Sequence, residues 1–182
     1  MNDMELGKKI EEKLDLEHFI EAYEYVTGER LEIVEQRESP DFICERPDGN
    51  LIGIEITSVM REPNDYFYET VILKKEFIRP YNLISMAYSA AERKSKKKQR
   101  NKWALKNNTI LILQLYEFPS SELEDHIDES VCVDFSTLGF SEIWLADYTE
   151  FDAYGDIELF GLHPENWYGH HERQNAYKKP YG

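Results

Sequence analysis

The sequence predicts an α/β chain built on one mixed β-sheet with helices on its faces. Three observations predict it. A helical apolar period near the N terminus gives way to short strand-like runs on either side of Pro47-Asp48-Gly49-Asn50, a second helical region follows, and TILILQLY, residues 109–116, is continuously apolar. A run of that kind fits a strand covered on both faces, and the order α-β-β-β-α-β followed by more strand fits a single sheet with helices packed on it.

Taken in order, residues 5–27 read as helix because Leu16, Phe19, Ile20 and Tyr23 recur at helical spacing and Gly28 supplies a stop. LEIVEQ, 31–36, is a strand. DFICER and LIGIEITSV flank PDGN, whose Asp-Gly is a turn signal, so 41–59 should form a β-hairpin. Residues 66–79 and 82–105 read as helices broken at Pro80, which cannot continue a helix without losing a hydrogen bond. After strand 109–116, SSELEDHI opens like a capped helix, and SEIWLADY and DIELFGLH read as two later strands. The C-terminal residues, His170 and His171 among them, read as a polar tail. No repeat, low-complexity linker or domain boundary interrupts the chain, and 182 residues suit one well-buried core, so 1–182 is expected to be one domain.

Aromatic residues make up 13% of the chain, too much packing material for a disordered one despite its charge of -15. No leader-like pattern follows Met1 and no apolar run is long enough to span a bilayer, so no membrane partner and a cytoplasmic location are expected. Cys44 and Cys132 lie in apolar contexts without metal-site spacing, which reads as reduced core cysteine rather than zinc ligation. The charge is uneven. Arg93–Lys106 holds eight of the 21 basic residues and no acid, whereas 107–172 holds no Lys or Arg against 15 acids. One basic helix in an acidic body argues against non-specific wrapping of nucleic acid, yet leaves a place to hold a phosphate or a short strand.

The chemistry-bearing stretch is SPDFICERPDGNLIGIEIT, residues 39–57. Side chains alternate along a strand, so Ile52, Ile54 and Ile56 face a core while Gly53, Glu55 and Thr57 face the other way. Gly53 leaves space for a ligand or a close backbone. A hairpin brings Asp41 within reach of Glu55, and two close carboxylates repel unless one is protonated or a cation neutralises both. Oxygen donors of this kind suit Mg2+ or Mn2+.

Pro40-Asp41, then Glu55-Ile56-Thr57 at the end of a hairpin, a long helix and the strand TILILQLY, resemble the PD-(D/E)XK nuclease superfamily, the restriction-endonuclease-like fold. The resemblance covers roughly residues 10–116, with 117–182 as an extension, and only the hairpin carries motif residues. It implies that Asp41, Glu55 and the carbonyl of Ile56 hold the metal. Thr57 departs from the pattern, standing where the family usually has lysine. Pro47-Asp48, a second Pro-Asp, lies in the turn and is set aside.

In members of that superfamily the lysine is known to move to the following helix. Here Ile84, Ala87, Tyr88 and Ala91 form an apolar stripe that continues through Lys94, Ser95, Lys98 and Lys102, so Lys98 is the first choice for a migrated lysine and Lys94 the second. The family also often draws a glutamate from its first helix, for which Glu24 is expected, with Glu17 and Glu21 as near-equal rivals.

The resulting expectation is a metal-dependent nuclease acting on nucleic acid, DNA favoured over RNA, with a homodimer as one way to cut both strands. The alternative is a catalytically inactive acidic binding, immunity or regulatory protein on the same fold, whose Lys/Arg-free half from 107 to 172 would receive a basic protein partner.

Overall fold

The computed structural model describes residues 2–59, 80–149 and 156–173. Helix α1, Asp3–Thr27, starts two residues before the expected boundary because Asn2 and Glu5 form a reciprocal cap: the Asn2 side chain accepts from the Glu5 N–H at 2.8 Å, and Glu5 Oε2 accepts from the Asn2 N–H at 3.2 Å. Gly28, at φ 77°, ends it in the left-handed region open to glycine. Leu16, Phe19, Ile20, Ala22 and Tyr23 are its buried residues, so α1 packs on the sheet with its C-terminal half while Met4, Ile10 and Leu14 stay exposed.

The strands are β1 Glu32–Gln36, β2 Phe42–Glu45, β3 Leu51–Ser58, β4 Thr109–Leu115, β5 Glu142–Asp147, β6 Glu158–His163 and β7 Gly169–His171. They lie in one sheet in chain order. β1, β2 and β3 pair antiparallel, β3, β4 and β5 parallel, and β5, β6 and β7 antiparallel again. The parallel pairs need crossovers, which contain helices α2, Pro80–Arg100, and α3, Val131–Ser136. β4 is buried along its whole length, as its apolar run requires.

Alternation sorts the side chains between two cores. Ile52, Ile54, Ile110, Ile112 and Trp144 pack with α1 on one face. Leu111, Leu113, Leu115, Ile143 and Leu145 pack with α2 and α3 on the other. Cys44 and Cys132 are buried free thiols. Among the described residues, no helix is long and apolar enough to cross a membrane.

Five local expectations are corrected or fall outside this description. The helix expected over 66–79 lies outside the described residues. The break expected at Pro80 falls at the edge of the described residues, where the described span of α2, Pro80–Arg100, begins. α2 ends at Arg100 rather than 105, leaving Lys102 in the following turn, because the chain bends to bury Trp103 and to reach Thr109 through Leu105 at φ 54°. SSELEDHI forms only the short 3-10 turn Ser120–Glu122, its start fixed by the Ser120 N–H donating to Asp147 Oδ2 at 2.6 Å; the helix comes later, as α3, where Cys132 and Phe135 supply an apolar side. The supposed polar tail contains strand β7, in which His170 and His171 pair with Phe160 and Leu159 of β6.

Candidate active site

Strand length creates the site. β2 is four residues long and pairs only with Leu51–Ile54 of the eight-residue β3, so the far half of β3 has a bare edge on that side. The Gly53 N–H donates to Asn108 O and the Val59 N–H to Gln114 O, which shows that odd-numbered residues of β3 turn their backbone toward β4. Ile56 therefore turns its N–H and its C=O to the bare edge. Asp41, immediately before β2, closes that edge: its Oδ2 accepts the Ile56 N–H at 2.8 Å.

Glu55 points to the α2 face and has no exposed surface. Such a carboxylate needs partners, and two are supplied. Lys94 Nζ lies 2.6 Å from Glu55 Oε1, and the Asp41 N–H donates to Glu55 Oε2 at 3.2 Å. The half-buried Asp41 carboxyl is pushed up to about 7 by burial and by the charge of Glu55, with the Ile56 N–H and Lys94 acting against the shift and Glu12 adding to it. The Lys94 ammonium thus pairs with Glu55 and acts on Asp41 through its charge alone.

The space beside Gly53 is filled. A Cβ there would lie 2.8 Å from both Pro40 Cγ and Thr109 Oγ1, so glycine serves the close approach of Pro40 and thereby the placement of Asp41. It does not leave room for a ligand. That room lies on the other side of Asp41, in a cleft of about 820 Å³ bounded by the N-terminal half of α1, the end of β1, the bare edge of β3 and α2, with Asp41, Ile56, Thr57 and Lys94 in its wall.

The structure brings together Asp41, Glu55, Ile56 and Lys94. Lys98 does not join them, and its placement corrects the first choice of lysine. It is 3% exposed, donates to the carbonyl of Gly139 and lies 4.2 Å from the ring centroid of Phe140, while burial holds its pKa below the ordinary lysine value. One turn of helix separates it from Lys94, a step of about 5–6 Å that carries it past Glu55 to the turn before β5. Its neighbour Ser95 does related work there, donating to Leu138 O at 2.7 Å.

Glu24 is also misplaced by the sequence reading. It sits at the far end of α1, ion-paired with Arg30 at 2.8 Å, and Glu17 and Glu21 lie on a separate surface beside Arg30 and Leu31. The α1 acids that line the cleft are Glu5, Glu11, Glu12 and Asp15. The usable signal was the position of the buried stripe: Leu16–Tyr23 covers the sheet, so the acids before it overhang the strand ends.

His170 Nε2 lies 2.7 Å from Glu158 Oε2, and His171 Nε2 lies 2.9 Å from Trp167 O. Among the described residues, no group of three or more His, Cys, Asp or Glu side chains is placed to hold a metal ion. A cation at Asp41 and Glu55 would therefore complete its shell with backbone oxygen and water, an arrangement ordinary for Mg2+. The donor set fits such an ion: two carboxyl groups, one with its pKa pushed up to about 7 by burial and by the charge of the other, and a backbone carbonyl directed to the same edge.

No family model matches the chain, and comparisons with curated proteins and with solved structures give no match.

Proposed function

We propose that the protein is a divalent-metal-dependent nuclease of restriction-endonuclease-like fold. The observation that carries the reading is the meeting of Asp41, Glu55 and Lys94 at the bare edge of β3, with Asp41 and Lys94 lining the cleft and Glu55 buried behind them. The element order α1-β1-β2-β3-α2-β4, with the motif residues at the end of the hairpin, supports the resemblance in fold. Lys94 gives the departure at Thr57 an explanation, because the ammonium comes from α2 instead of from β3.

Asp41, Glu55 and the Ile56 carbonyl would hold Mg2+ or Mn2+, which when bound supplies a water of lowered pKa and neutralises phosphate charge. The chain's own contribution is placement and charge. Asp41 and Glu55 are held by the hairpin, and Glu55 orients the Lys94 ammonium toward the position where a scissile phosphate would lie. Lys94 then favours the transition state, in which charge builds on the phosphoryl oxygens.

A second reading, a non-catalytic binding module, draws on the same 2.6 Å contact, since an ion pair with Lys94 is itself a way to offset the buried charge of Glu55. Incubating the purified chain with mixed single- and double-stranded DNA and RNA, with and without manganese, decides between them. Metal-stimulated cleavage abolished by Glu55→Gln is the expected result; no cleavage of any substrate removes the nuclease reading.

A further inference from the structure

One wall of the cleft carries an aromatic surface that the phosphoryl chemistry does not use. Tyr116, just after β4, lines the cleft with Asp41, Ile56 and Lys94 and is 48% exposed. Its ring stacks on Tyr148 at a centroid distance of 5.3 Å and an interplanar angle of 25°, so one face is covered and the remaining exposure belongs to the rest of the ring. The backing ring is well fixed: the Tyr148 hydroxyl donates to Asp15 O at 2.9 Å, and its N–H donates to Leu115 O at 2.9 Å. Asp15 also accepts from Gln114 Nε2 at 2.9 Å, and its carboxylate lies beside the Tyr116 phenol, which burial and that charge push up to about 12. Tyr116 is thus held in place before any ligand arrives.

Charge limits what the cleft can bind. Five cations in its wall, Lys8, Lys9, Arg37, Lys94 and Lys97, face six carboxylates. Binding to a duplex draws most of its non-specific affinity from phosphate contacts, and a wall of this balance supplies little. Stacking supplies affinity without net charge, but a paired base inside a duplex has both faces covered, whereas an unpaired base offers one. Lys97 lines both this cleft and the adjoining groove with Arg93, Lys96 and Arg100, which gives the flanking phosphates a basic path out along α2.

We infer that the cleft takes single-stranded or locally unpaired nucleic acid, with one base stacked on the open face of Tyr116 and the adjacent phosphates passing Lys94 and Lys97. The inference rests on the nuclease reading for the place of the scissile phosphate and adds the substrate class.

The test measures binding and cleavage separately. Binding of labelled oligothymidylate, oligouridylate and an A·T duplex, each of roughly a dozen nucleotides, is read by fluorescence anisotropy in EDTA for the full chain and for Tyr116→Phe and Tyr116→Leu. Leucine keeps apolar bulk against Tyr148 and lacks a π-face, and thermal melts establish that both variants fold. A single strand should bind more tightly than the duplex, with the two single strands separating DNA from RNA. Tyr116→Leu should weaken single-strand binding by roughly 5- to 150-fold, the range of one lost base–aromatic stack, while Tyr116→Phe leaves it nearly unchanged. Preference for the duplex, equal losses in both variants, or no loss in either overturns the inference. Manganese-stimulated cleavage of the same oligonucleotides distinguishes the two readings. Cleavage of duplex that ignores Tyr116 keeps the nuclease and removes the stacking site; Tyr116-dependent single-strand binding without cleavage removes the nuclease and keeps the stacking site.

Discussion

Lys94 on α2 places its Nζ 2.6 Å from Oε1 of Glu55 on β3, joining residues 39 positions apart across the helix–sheet interface. The pair combines a wholly buried carboxylate with a lysine whose side chain keeps 21% of its surface in water. Removing the lysine strands a buried charge. Lys94→Met should therefore cost stability toward the low end of roughly 3–5 kcal/mol, since water can still reach part of the site. If Lys94 acts like one transition-state donor, turnover should fall roughly a hundredfold to a thousandfold. Lys98→Ala should lower stability alone, because Lys98 holds the Gly139 turn and not the carboxylates. Denaturant unfolding and single-turnover cleavage of both variants check this, and turnover lost only in Lys98→Ala would reverse the assignment.

Asp41 makes the metal-free protein less stable as pH rises. Its folded pKa, about 7, lies above the 3.8 of an ordinary aspartate, so between those values the native state holds a proton that the unfolded chain has released. Stability from this group is full below about pH 4 and is lost as pH rises through about 7, by on the order of a few kcal/mol. Chemical denaturation in EDTA should show that slope, and Asp41→Asn should flatten it. A profile unchanged by the substitution would place the titration elsewhere.

Gly53→Ala should disturb Asp41 without touching it. The new Cβ would lie 2.8 Å from Pro40 Cγ and from Thr109 Oγ1; the threonine can turn, but the proline ring is tied to the backbone that carries Asp41. We expect a stability loss of roughly 1–3 kcal/mol, as in other overpacked sites, together with weaker manganese binding by calorimetry. Normal metal affinity in a destabilised variant would separate Gly53 from the placement of Asp41.

Glu142, at the start of β5, provides a control away from the cleft. Arg46 Nη2 lies 2.8 Å from its Oε1, Trp144 Nε1 donates to its Oε2 at 2.8 Å, and the Tyr23 hydroxyl donates to both oxygens at 3.0 and 3.1 Å. This one carboxylate ties α1 and β2 to β5. Glu142→Ala should cost roughly 3–5 kcal/mol and Tyr23→Phe about 1.5–3 kcal/mol, the value of a hydrogen bond to a charged group. Manganese affinity at saturating folded fraction should be unchanged in Tyr23→Phe; a parallel fall would link this network to the cleft.

Much of the architecture was legible because it rests on local chemistry. The helical spacing from Leu16 to Tyr23, the Gly28 stop, the Asp-Gly turn and the unbroken apolar run of β4 each specify an element through groups within a few residues of one another. Errors fell where local signals were weak or ambiguous. The acidic stretch after Ser120 looked like a capped helix but forms only a 3-10 turn, although Leu123 is buried and Ile127 packs against the core, and β7 is three residues long, too short to show a period.

By itself the sequence determined which faces carry chemistry: alternation set Glu55 against the isoleucines of β3, and the stripe on α2 turned Lys94 and Lys98 inward together. Only the tertiary structure decided which lysine meets the carboxylate, which α1 acids overhang the cleft, and that Pro40 rather than a ligand occupies the space at Gly53. The physical reason is that periodicity specifies a direction around a helix or strand but not the level along it. A step of four residues moves a side chain about 6 Å with no change of face, and at that distance a lysine exchanges the Glu55 carboxylate for the Gly139 carbonyl.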